Sequence, residues 1–103
     1  MKARMTGPEI QNVRNAFGMS QEAFASVLAV HPGTVRRWES TNQEVSVDGV
    51  AAGVLLLARE RLKQRHAQPE ELRQAGDDVT QQLLAAGALA ALAVLIYFLT
   101  RKK

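Results

Sequence analysis

Apolar residues along this chain follow two patterns, and the change between them comes near Leu83. Up to Leu62 they recur three and four positions apart with polar residues between, the spacing of helices that bury one face. Ile10, Val13 and Phe17 form the first such stripe; Thr6 and Glu9 stand before it at capping-box spacing, Pro8 lies in the first turn, and Gly18 closes it. Phe24, Val27 and Leu28 form the second, with Ser20 as N-cap. After Ala29 and Val30, His31 stands at a third N-cap and Pro32 at the first helical position, where a missing amide costs nothing; Val35 and Trp38 then point inward. The fourth stripe is Val50, Val54, Leu57, Ala58 and Leu62, widened by Leu55 and Leu56, with Ser46 or Asp48 as its cap.

Beyond this the periodicity disappears. Leu83 opens and Leu99 closes a run of seventeen residues that are all Leu, Ala, Gly, Val, Ile, Tyr or Phe. Asp77 or Asp78 is placed to cap it. A bilayer core takes about 17 to 25 apolar residues as a helix, and a helix apolar all round has no polar face to turn to water. The pattern therefore predicts a transmembrane helix, with Gly87 and Ala91, and likewise Ala86 and Ala90, at the four-residue spacing that lets two such helices approach closely. The fold class expected is all-α: a small four- to five-helix domain over residues 1–68, an acidic linker over 69–78 and a C-terminal hydrophobic helix with a basic tail over 79–103. Residues 1–5 are expected to form a short basic arm and residues 40–43 a loop.

Charge sharpens this division. The formal total is +3, but residues 1–68 carry nine cations against six acids, residues 69–82 carry Arg73 against Glu70, Glu71, Asp77 and Asp78, and the rest carries only Arg101, Lys102 and Lys103. A basic head fits a polyanionic partner. The run Arg59, Arg61, Lys63 and Arg65 is expected to be a solvated helix end favoured by the macrodipole. There is no cysteine, which removes disulfides and thiolate metal sites, and two histidines, His31 and His66, are too few for a metal centre. No nucleophile stands beside a base and no glycine-rich loop is built to cradle phosphate, so neither catalysis nor a cofactor is expected.

The stretch over 20–39, SQEAFASVLAVHPGTVRRWE, carries the most chemistry. Two short helices joined by a tight turn bury Val35 and Trp38 and leave Thr34, Arg36 and Arg37 outside, a basic face of the kind the DNA major groove accepts. From Thr6 to about Arg65 the chain resembles the Xre/Cro, lambda-repressor-like helix-turn-helix family. Ser20-Gln21-Glu22 with Phe24-Ala25 is similar to the opening of the family's positioning helix, Leu28-Ala29-Val30 to its turn, and Val35 with Trp38-Glu39 to the end of its recognition helix. Ala29 stands where glycine is usual, and Pro32 and Gly33 occupy positions where polar base-reading side chains are common.

That resemblance implies double-stranded DNA as the partner, with Gln21 on a phosphate and His31, Thr34, Arg36 and Arg37 against phosphates or base edges. Trp38 is expected in the core and Glu39 in a pair with a nearby arginine. Joined to the hydrophobic tail, the head implies a membrane-tethered, repressor-like transcriptional regulator that acts as a homodimer, anchored once in the inner (cytoplasmic) membrane with its head in the cytoplasm. Two alternatives keep the fold. A head of this type followed by one span resembles the RodZ cell-shape proteins, whose head docks on a cytoplasmic protein partner, although nothing follows Lys103 here. An antitoxin-type regulator is the other.

Overall fold

The computed structural model describes residues 2–64 and 69–100. Arg65, His66 and the basic tail Arg101, Lys102 and Lys103 lie outside the described residues. The elements run in the order β1 (Lys2–Thr6), α1 (Gly7–Ala16), α2 (Gln21–Leu28), α3 (Pro32–Glu39), β2 (Glu44–Asp48), α4 (Gly49–Gln64), α5 (Pro69–Ala86) and α6 (Ala88–Thr100).

The four stripes of the head do form helices. In α1 the capping box is complete: the Glu9 amide donates to Thr6 Oγ1 at 3.3 Å and the Thr6 amide donates to Glu9 Oε1 at 2.9 Å. The Thr6 amide, aided by the Arg59 guanidinium, holds the Glu9 carboxyl below its usual range. The box is therefore fully effective above the ordinary carboxylate range and weakens as pH falls through that lowered value. Ile10, Val13, Phe17, Phe24, Val27, Leu28, Val35 and Trp38 are all buried, and together with Leu55 and Ala58 of α4 they make the head's core. Within α4 the buried face is turned from the one expected. Ala51, Ala52, Val54, Leu55 and Ala58 point inward, while Val50 and Leu57 are exposed.

The expected architecture fails at both ends, in the all-α class at the first and in the transmembrane helix at the second. Residues 2–6 are not a free arm but a strand, paired antiparallel with β2 so that Ala3 faces Val47 and Met5 faces Val45. Both segments, KARMT and EVSVD, alternate apolar with polar, and Ala3, Met5 and Val47 are buried. Period-two patterning over five residues is a weak signal until the partner is known, and this partner lies some forty positions away. The ribbon ties the chain's start to the segment that leads into α4.

The second correction concerns the tail. Residues 69–78, expected as a linker, are the first turns of α5, and Leu72, Ala75, Gly76 and Val79 are buried. Asp77 and Asp78 are mid-helix, not caps. The hydrophobic run is broken at Gly87, whose φ of 99° only glycine takes up freely. Its amide donates back to the Gln82 and Leu83 carbonyls at 3.1 and 3.2 Å, ending α5, and its own carbonyl accepts from the Ala91 amide at 3.1 Å, starting α6. The thirteen residues of α6 span roughly 20 Å against a hydrocarbon core of about 30 Å. Among the described residues no helix is long and apolar enough to cross a membrane. The transmembrane helix of the expected fold is thus replaced by an antiparallel helical hairpin.

The head covers one side of this hairpin. It packs on α1, α2 and α4, burying Ala91, Leu95, Phe98 and Leu99 of α6. Phe98 meets Phe17 edge to face with ring centroids 6.0 Å apart, and the Arg61 guanidinium lies over the Phe98 ring, 5.4 Å from its centroid. Ala91, read from the sequence as part of a helix-pairing motif, is buried inside the chain. At Gly76 helix α5 crosses so close to the end of α1 that a Cβ there would collide with the Phe17 carbonyl oxygen. A Gly76→Ala substitution is expected to force the hairpin off the head, lowering stability in urea denaturation by about 1 to 3 kcal/mol or more. An equal midpoint for variant and parent would show that the contact carries no weight.

Candidate nucleic-acid interface

The site grows from the two caps and the turn. Ser20 Oγ accepts from the Ala23 amide at 3.1 Å and starts α2. Ala29 ends it in the left-handed conformation, φ 60° and ψ 38°, and the Val30 amide then closes the turn on the Ala25 carbonyl at 3.0 Å. The turn thus demands positive φ from a residue with a Cβ. At the start of α3, His31 Nδ1 accepts from the Gly33 amide at 3.0 Å, and Pro32 occupies the first helical position. Because Nδ1 is the acceptor, a neutral His31 carries its proton on Nε2, a donor on an exposed ring.

Residues of α3 turn by about 100° each. With Val35 and Trp38 buried, Gly33 comes to the middle of the outward side, flanked by the exposed Arg36 and Arg37. Thr34 is half-buried at its edge. Among the described residues neither Arg36 nor Arg37 is engaged in an ion pair, in contrast to Arg4, Arg14 and Arg59, which pair with Glu44, Glu39 and Glu9. A Cβ placed on Gly33 would stand 3.1 Å from His31 Nδ1 and 3.9 Å from Arg36 Nη2, so the first turn of α3 presents backbone and two polar groups at close quarters.

Glu39 holds this helix in place. Its carboxylate receives Arg14 Nε at 2.7 Å and Arg14 Nη2 at 2.8 Å, a bidentate pair, and Gln21 Nε2 at 3.1 Å. The remaining Arg14 nitrogen, Nη1, donates to the Met19 carbonyl at 2.9 Å. The two side chains are 14 % and 5 % exposed. One carboxylate therefore ties the end of α1, the start of α2 and the end of α3, and Arg14 neutralises it without consuming Arg36 or Arg37.

The expected contact residues divide accordingly. His31, Arg36 and Arg37 lie together on the outer side of α3 with Thr34 beside them, whereas Gln21 is half-buried with its amide turned to Glu39. Arg14 was missed. Nothing local marks a residue whose partner is 25 positions away. The basic end of α4 is drawn inward: Arg59 reaches Glu9 at 3.6 Å and the Arg4 carbonyl at 3.4 Å, and Arg61 lies on Phe98.

Comparison with protein-family models, with curated proteins and with solved structures finds no match.

Two stability effects follow from this geometry. An Ala29→Gly variant is expected to be more stable by about 1 kcal/mol, since the left-handed turn no longer opposes a Cβ; thermal unfolding should show a rise of roughly 4 to 8 °C. An unchanged or lower midpoint would mean that the turn holds Ala29 without strain. Arg14→Met leaves the Glu39 carboxylate buried without its bidentate partner and is expected to cost about 3 to 5 kcal/mol, most of it recovered in the double variant Arg14→Met with Glu39→Met. Additive losses in that double-mutant cycle would contradict the clamp.

Proposed function

We propose that this protein binds double-stranded DNA by inserting α3 into the major groove and acts as a repressor-like transcriptional regulator. The observation that carries the reading is the pairing of a buried Glu39 with Arg14, which leaves Arg36 and Arg37 as uncompensated cations on the outer side of a short helix. Arginine in such a position matches the O6 and N7 acceptors of guanine bidentately, and the exposed Nε2–H of His31 suits a phosphate oxygen at the helix N-terminus. Gly33 lets the groove edge approach the backbone between them. Pro32 and Gly33 offer no base-reading side chain, so sequence discrimination falls to Thr34, Arg36 and Arg37, and few base pairs are read per copy. Positioning comes from the clamp: Gln21 holds Glu39 and so sets the angle of α3 without itself touching DNA.

Arg36→Ala and Arg37→Ala are the test. Fluorescence anisotropy of the full chain on DNA selected from a random pool should show each variant losing about 1 to 3 kcal/mol of discrimination against the altered site. A variant whose arginine contacts phosphate should instead weaken binding evenly across sequences and flatten the salt dependence by about one charge. Failure of the parent chain to select any sequence over random DNA at two salt concentrations would sink the operator reading.

A further inference from the structure

Among the described residues the large hydrophobics that stay exposed are confined to the last three helices. They are Val50 and Leu57 on α4, Leu84 on α5, and Leu89, Ile96 and Tyr97 on α6. Two features organise them. The first is the tip of the α5–α6 hairpin. Val79 and Ala91 are the last fully buried residues on the two arms, and between them most residues are exposed. Leu84 is 83 % exposed and Leu89 is 81 % exposed, on either side of the Gly87 turn. The second is a stripe along α6: Leu89, Ala93, Ile96 and Thr100 succeed one another at helical spacing, all exposed, with Tyr97 beside Ile96. Next to Ile96 a groove of about 490 Å³ is lined by Val50, Gly53, Val54 and Leu57 of α4.

No charged residue occurs between Asp78 and Arg101. A helix that lies on a protein surface in water ordinarily turns charged residues outward; α6 has none to turn. The stripe runs in sequence straight into Arg101, Lys102 and Lys103, three cations without an acid. We propose that α6 and the hairpin tip seat this protein on the surface of a lipid bilayer bearing anionic headgroups, with Leu84, Leu89, Ile96 and Tyr97 in the boundary between headgroups and acyl chains. A helix lying in that plane enters the boundary by about 5 to 10 Å, which suits side chains of leucine length on a helix whose other face stays on the head. The cations complement the negative surface potential, and Tyr97 presents a ring with a polar end, a form favoured at the interface. Glu71 and Asp78, which line the opposite flank of α6 beside Tyr97, bound the apolar area on the α5 side. The recognition helix stays free in this arrangement, because α3 packs on α1 and α2 and the hairpin on α1, α2 and α4.

Flotation of the full chain with vesicles tests this. With about one third phosphatidylglycerol in phosphatidylcholine the parent should float, and with phosphatidylcholine alone it should float less. Leu84→Glu with Leu89→Glu alters two side chains that make little contact with the head, so the variant should keep its circular dichroism and unfolding midpoint while losing at least about tenfold in vesicle affinity. Arg36→Ala with Arg37→Ala should float as the parent does. Three results would overturn the proposal: a parent that does not float on anionic vesicles, a leucine variant that floats undiminished, or loss of flotation on removal of Arg36 and Arg37, which would assign the vesicles to the polyanion-binding face. Sedimentation equilibrium supplies a fourth: a dimer that Leu84→Glu with Leu89→Glu converts to monomer gives this face to a second copy instead.

Discussion

One buried carboxylate ties α3 to both helices it packs on. Glu39 lies at the helix's C-terminal end, where a negative charge is disfavoured by the macrodipole, and it is nearly excluded from water. Both penalties are offset only because Arg14 supplies a bidentate pair and Gln21 a further donor. An ion pair of this kind adds little net stability compared with apolar packing, but any displacement of α3 strands a charge. It therefore acts as a geometric lock: small errors in the angle between α2 and α3 are costly, and the outer arginines are held where the helix puts them.

The second dependency is between the head and the hairpin, and it is made of shape rather than charge. Gly76 brings α5 against the Phe17 carbonyl, and Phe98 brings α6 against the Phe17 ring. Phe17 is thus shared, closing the head's core from inside and receiving both arms of the hairpin from outside. The two dependencies meet in α1, since Arg14 lies one turn before Phe17. Disturbance of the end of α1 is felt by α3 through one residue and by the hairpin through the other.

Local chemistry made the head legible. The capping box at Thr6 and Glu9, the caps at Ser20 and His31 and the inward positions of Val35 and Trp38 are properties of neighbours within four residues, and each is found as read. What escaped was set at long range. A strand of five residues has no identity before its partner is known, so Lys2–Thr6 looked like an arm. The face that α4 buries was set by elements distant in sequence, β1, α1 and α6, and Val50 and Leu57 are left outside. Nothing in the neighbours of Arg14 marks its partner Glu39, which lies 25 positions away. Gln21, expected on a phosphate by resemblance, also donates its amide to Glu39, a contact 18 positions away that no local pattern marks.

The hydrophobic tail shows why a run of apolar residues is ambiguous. Periodicity separates a helix with one buried face from a helix with two, but it does not distinguish protein from lipid as the medium on either side. Two local facts decide against a span here. Gly87 supplies the positive φ that ends one helix and lets the next fold back, and the head offers a face that accepts Ala91, Leu95, Phe98 and Leu99. A small domain has only enough surface to cover one side of the returning helix, so Leu89, Ile96 and Tyr97 remain outside. The same apolar-all-round composition that a bilayer core would accept is thus divided, one stripe becoming core and the other a surface that water does not favour.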